Sequence, residues 1–223
     1  GIQSFASTSF QGDRVLAIVS GKFGERWADM AETYGARVTR LNVPWGQAVR
    51  TEHVEEALRE EPDPVAVLTQ ACETSTGVLH PVKDLAQVVA KSRAVLMVDA
   101  ITALGALPIP MDEWGIDVMI GGSQKAFMLP TGLSFISFSP KAWRLVESAK
   151  CPRYYFDVRK EKKANDTGES GFSASVTHIR ALDLVLDIFL KQGLDRVYDR
   201  IQALAQATRA GCHELGLSSF AEV

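Results

Sequence analysis

Lys125 stands in the stretch Gly121-Gly122-Ser123-Gln124-Lys125-Ala126-Phe127, between two apolar runs at 116–120 and 133–138. An ammonium group in a tight turn between buried strands is costly unless it is paired or used covalently. Used covalently, a lysine condenses with an aldehyde cofactor as a Schiff base; the plainer alternative is a solvated loop lysine. Such a cofactor needs more than the amine: a carboxylate at a ring nitrogen, a flat group over the ring, and donors for a phosphate. Asp99 follows the apolar run 94–98. A carboxylate there keeps a ring nitrogen protonated, so that the ring accepts electrons when a substrate Cα loses its proton; the alternative is a cap or turn residue. Phe23 lies in the glycine-rich turn Ser20-Gly21-Lys22-Phe23-Gly24, placed either to stack on a ring or to plug helix against sheet. Thr74, in Glu73-Thr74-Ser75-Thr76-Gly77, offers a hydroxyl to a ring substituent, or is a plain turn threonine. Ser123 and Gln124 flank the lysine and can bond a phosphate.

These residues need a frame. The run 14–19 is continuously apolar, as in a strand buried on both faces of a parallel sheet. Further strands are expected at 37–41, 65–69, 94–98 and 116–120. Between them, Trp27, Met30, Ala31 and Tyr34 share one helical face that Gly35 ends. Thr51 is placed to cap a helix to about residue 60 with Val54, Ala57 and Leu58 inward. Residues 84–92 form another helix, with Leu85, Val88 and Val89 on one face. The alternation specifies an α/β fold, a three-layer sandwich with a mostly parallel central sheet. Such sheets bind ligands at the carboxyl ends of their strands, where the turns of Phe23 and Thr74, Asp99 and Lys125 all fall. Later, 140–148 reads as a surface helix and 159–171 as a solvated loop. A helix carrying Ile179, Leu182, Leu186, Phe189 and Leu190 is made apolar nearly all round by Leu184, Val185 and Ile188, which predicts burial between layers or subunits. Past Gly193, an amphipathic helix over 194–215 turns Val197, Ile201 and Leu204 inward.

The bulk properties narrow the class. The chain has 223 residues with a net charge of −3, which gives no footprint for nucleic acid or an anionic membrane. Cys72, Cys151 and Cys212 are far apart, without metal-type spacing, and read as reduced thiols of a cytoplasmic protein. The four histidines are scattered too. No apolar run is long enough to span a bilayer. The abrupt ends read as those of a fragment.

The stretches Gly21-Lys22-Phe23-Gly24-Glu25-Arg26, Asn42-Val43-Pro44-Trp45-Gly46, Glu73-Thr74-Ser75-Thr76-Gly77-Val78, Val98-Asp99-Ala100 and Gly122-Ser123-Gln124-Lys125-Ala126 occur in the order and at the spacing of one family. The chain resembles a class V aminotransferase of the type I pyridoxal-phosphate fold, most of all the alanine–glyoxylate and serine–pyruvate group. The resemblance implies that Lys125 forms the Schiff base with pyridoxal 5'-phosphate and shuttles the substrate proton, and that Asp99 pairs with the pyridine nitrogen. It implies that Phe23 stacks on the ring and that Thr74 and Gln124 bond the cofactor. It implies a homodimer with shared sites, in which Ser173 stands near the position whose hydroxyl reaches the partner's phosphate; here the family's usual Thr-Pro reads Ser173-Ala174. Residues 1–223 then correspond to the large, cofactor-binding domain, with an N-terminal segment and a small C-terminal domain absent and the helices at 176–192 and 194–215 leading toward the latter. The implied reaction moves an amino group between a small amino acid (alanine or serine) and a 2-oxo acid (glyoxylate or pyruvate). Two alternatives remain. A cysteine desulfurase or lyase of the same fold commonly has His where Gln124 stands. A nucleotide-binding module would be expected to carry a G-x-G-x-x-G or G-x-x-x-x-G-K-[ST] stretch, and neither occurs.

Overall fold

Apolar runs long enough to be covered on both faces form the sheet at the centre of the molecule. The computed structural model describes residues 12–61, 63–151 and 153–222. Strands β1 (Arg14–Val19), β2 (Arg37–Asn42), β3 (Ala66–Gln70), β6 (Val95–Asp99), β7 (Val118–Gly122) and β8 (Ser134–Phe138) form one sheet in the order β2-β1-β3-β6-β7-β8. The first five run parallel and β8 is antiparallel to β7. A small hairpin, β4 (Cys72–Glu73) with β5 (Val78–Leu79), stands apart and was not expected from the sequence.

Alternate residues of each strand feed two cores. Val15, Ala17, Val19, Leu68, Met97 and Ile120 pack with Trp27, Ala28 and Ala31 of α1 (Lys22–Thr33) and Ala142 and Val146 of α5 (Pro140–Ser148). On the other face Leu16, Ile18, Val67, Leu96 and Val98 pack with Val54 of α2 (Thr51–Glu60) and Leu85 and Val89 of α3 (Val82–Val89). The three-layer α/β sandwich is therefore the one expected. Helix α1 ends where Gly35 predicts: Gly35, at φ 90°, donates to the Glu32 carbonyl and Ala36 to the Ala31 carbonyl, the two bonds of a Schellman stop.

Several local expectations are corrected. Thr51 does not cap α2; it is already the first helical residue, after an extended Arg50 without a side-chain cap bond. The stretch read as a solvated loop from 159 contains α6 (Val158–Asp166), started by the Asp157 carboxylate accepting from the Arg159 N–H and braced by Lys162 with Asp166 one turn apart. A helix without an apolar stripe escapes a periodicity reading because its support is electrostatic. Of the two burials expected for α7 (Val176–Gln192), between layers or between subunits, the chain itself supplies the first only at Val185 and Phe189; Leu184, Ile188 and Leu190 are exposed. In α8 (Leu194–Glu214) Val197 is buried and Ile201 packs beside it, but Leu204 faces outward.

Candidate active site

The carboxyl ends of β1, β3, β6 and β7 gather the chemistry. Asp99 closes β6 and is buried, 6% exposed, on the sheet face that α1 covers. One carboxylate oxygen accepts the Ile101 N–H at 3.0 Å. Burial pushes its pKa up to about 6; the Ile101 N–H and the Trp27 indole pull it back, Glu73 adds to the rise, and the Lys125 ammonium draws it down. The Lys125 ammonium is thus felt at the Asp99 carboxyl, although the two form no direct ion pair.

Lys125 rides on a loop that is held at both ends. The Ser123 hydroxyl donates to the Pro130 carbonyl at 2.7 Å and accepts the Leu133 N–H at 3.2 Å, and Ser123 is fully buried. This corrects the expectation that Ser123 is free for a phosphate: its oxygen closes the loop. The Lys125 carbonyl accepts from Met128, which takes the left-handed conformation at φ 56°. Phe127 plugs into a separate apolar cluster, stacked on Phe189 of α7 with ring centroids 5.8 Å apart and edge-on to Phe135 at 5.3 Å. The side chains of Gln124 and Lys125 are left exposed at the top of the loop.

Phe23 and Thr74 are brought together by a residue the sequence reading passed over. Glu73 is fully buried. Its carboxylate accepts the N–H groups of Phe23 (3.1 Å) and Gly24 (2.9 Å) in the first turn of α1, and also the Ser75 N–H (3.1 Å) and hydroxyl (2.6 Å). The clasp is tight enough that a Cβ on Gly21 would lie 2.5 Å from the Ser75 hydroxyl and 2.7 Å from the Glu73 carboxyl carbon. The signal was available: Glu73 is an acid just after a buried strand, the criterion that singled out Asp99. Phe23 is half-buried with the Arg26 guanidinium 5.4 Å from its ring centroid. The Thr74 hydroxyl donates to that of Thr102 at 3.2 Å, which ties the Thr74 turn to the segment after Asp99.

Beneath this surface His80 accepts the Val49 N–H at its Nδ1 (3.1 Å), which leaves Nε2 to donate to the Ser20 hydroxyl at 2.8 Å. Burial pushes its pKa down to about 4, so it is a neutral strut between β1's end and the hairpin. Ser173 lies apart: it is exposed, ahead of α7, and no described hydrogen bond joins it to the other candidates. Among the described residues no three His, Cys, Asp or Glu are grouped as metal ligands, and no helix is long and apolar enough to cross a membrane.

A comparison with known families decides the kinship of this arrangement. The family model described as aminotransferase class-V matches residues 2–222. The chain belongs to that family. Among curated relatives it is 39% identical over 99% of its length to a Synechococcus protein named soluble hydrogenase, small subunit, and 36% identical over 96% to the L-aspartate–glyoxylate aminotransferase of Paracoccus denitrificans. It covers 58% and 55% of those two proteins, so it spans little more than half the length of the curated relatives it matches. Among solved structures, the alanine–glyoxylate aminotransferase of Nostoc sp. superposes with a TM-score of 0.92 at 29% identity, over 97% of this chain and 58% of that one.

Proposed function

We propose that the protein catalyses pyridoxal-phosphate-dependent transamination between a small amino acid and a 2-oxo acid, with Lys125 carrying the cofactor. The observation that supports this best is Asp99: a buried carboxyl at a strand end, in no ion pair among the described residues, with a lysine on the adjoining loop. A group with a protonated ring nitrogen fits it, because that cation lets the carboxylate ionise in a dry place. When bound, the cofactor supplies an electron-accepting ring. Asp99 holds the proton on the ring nitrogen, Phe23 covers the ring, and Thr74 and Gln124 give it polar contacts. The Lys125 Nζ would hold the cofactor and, once the amino group of the substrate had displaced it, would as a free amine move the proton from the substrate Cα to the cofactor carbon. Two of the three relatives named above act, by their names, on aspartate or alanine with glyoxylate, which supports glyoxylate as the acceptor.

The same reading takes residues 1–223 as the cofactor-binding domain of a cytoplasmic homodimer, with Ser173 reaching the phosphate of the partner subunit. Its support is the exposure of Ser173 and the uncovered apolar side chains of α7. Borohydride reduction of the full-length protein after incubation with pyridoxal 5'-phosphate tests the assignment. Peptide mass mapping is expected to find the reduced cofactor on Lys125, and to find none on Lys125→Ala. Stable labelling of Lys125→Ala to the same extent would refute it.

A further inference from the structure

Two buried polar side chains behind Asp99 make no hydrogen bond among the described residues. Among the described residues, fully buried Gln70 has no hydrogen-bond partner for its amide oxygen or its amide nitrogen, and Trp27, 3% exposed, has none for its indole nitrogen. Both are neighbours of Asp99. Gln70 ends β3 directly opposite Asp99 in the parallel register, so the two side chains leave the same face of the sheet. The Gln70 amide oxygen reaches beneath the first turn of α1, 3.2 Å from where a Cβ on Gly24 would stand. Trp27 follows Gly24 on that helix, and its indole N–H faces the Asp99 carboxyl closely enough to lower its pKa while falling short of a hydrogen bond. The surroundings are otherwise dry: Val19, Leu68, Met97 and Ile120.

An idle buried donor costs about 1–3 kcal/mol. A methionine at position 70 and a phenylalanine at position 27 would fill the same space without that cost. The donors therefore belong to a state in which they are used. Ile101 gives the Asp99 carboxylate one N–H, and a carboxylate held charged away from water takes two or three. We propose that Gln70 and Trp27 are positioning residues for Asp99, closing their N–H groups on its carboxylate, directly or through one enclosed water, whenever Asp99 is ionised. The ionisable groups facing Asp99 are Glu73 and the Cys72 thiol, which oppose its charge, and Lys125, which favours it. The consequence for catalysis rests on the reading of Asp99 as partner of the ring nitrogen: two further donors keep the acid charged without drawing it away from the ring.

The test is titration of the Asp99 carboxyl by carboxyl-carbon NMR in the cofactor-free full chain, with Asp99→Asn assigning the signal. Gln70→Met and Trp27→Phe are each expected to raise the Asp99 midpoint by about one pH unit, the loss of one charge-assisted donor. They are also expected to weaken pyridoxal 5'-phosphate binding about tenfold at neutral pH. A midpoint that stays put in both variants overturns the proposal; if only one variant folds, its midpoint decides. The titration needs no cofactor. A failed borohydride experiment therefore leaves this inference standing, and an unmoved midpoint leaves the Lys125 assignment standing.

Discussion

Asp99→Asn separates a carboxyl kept for its chemistry from one kept for stability. Burial lifts Asp99 from the usual 3.8 to about 6, a rise that corresponds to about 3 kcal/mol at 1.36 kcal/mol per unit. The folded protein thus binds this proton more tightly than the unfolded chain does. The contribution of Asp99 to stability is greatest below about pH 4, declines as pH rises through the window from about 4 to about 6, and is fully lost above it. Asparagine has the same shape, does not ionise, and keeps an oxygen for the Ile101 N–H now bonded at 3.0 Å. The cofactor-free variant should therefore exceed wild type by about 2 kcal/mol near pH 7.5, or about 4–8 °C in Tm for a chain of this size, and show no advantage near pH 4. His80, with its pKa pushed down to about 4, contributes the opposite slope, but equally to both proteins, so it cancels in the difference. Urea or thermal melts of both proteins across this range measure it. A variant less stable than wild type near neutrality, or a difference that ignores pH, would refute the reasoning.

Other outcomes follow from the same geometry. In the Asp99→Asn background, the remaining acid dependence belongs to His80: stability present above about pH 6.5 is lost as pH falls through about 4, by about 3 kcal/mol, and His80→Gln should flatten the curve. Glu73→Ala should cost about 2–4 kcal/mol in urea denaturation by stranding the Phe23 and Gly24 N–H groups, and Glu73→Gln nearly as much, because both carboxylate oxygens face donors. Ser123→Ala should cost about 1–2 kcal/mol and speed amide exchange across residues 124–133, since it releases the Pro130 carbonyl and the Leu133 N–H. Gly21→Ala should lose about 1–3 kcal/mol, as the added methyl meets Ser75 and Glu73.

What could be read from the chain follows from what each signal encodes. Strands buried on both faces are continuous apolar runs, so β1, β3, β6 and β7 were visible within one or two residues, and with them the parallel sheet. The face of α1 was visible because Trp27, Met30, Ala31 and Tyr34 recur at helical spacing; all four pack on the same core. β8 was visible too, as the run 133–138, but its antiparallel direction and the β4–β5 hairpin depend on pairing, which periodicity does not carry. The apolar character of α7 predicted burial between layers or between subunits; within the chain only Val185 and Phe189 are buried, while Leu184 and Leu190 stay open, and periodicity alone does not say which of the two covers them. At the site, residues with distinctive chemistry stood out. Glu73 and Gln70 did not, because their roles are set by neighbours distant in sequence: Phe23 and Gly24 for one, Asp99 and Trp27 for the other.

The clasp made by Glu73 has a consequence for anion recognition. A helix start usually attracts phosphate because its first amide protons are unspent and the axis is positive there. In α1 those protons already answer to an internal anion. A phosphate arriving at this rim finds that berth occupied, and it must be gripped by side-chain hydroxyls and amides or by another stretch of backbone.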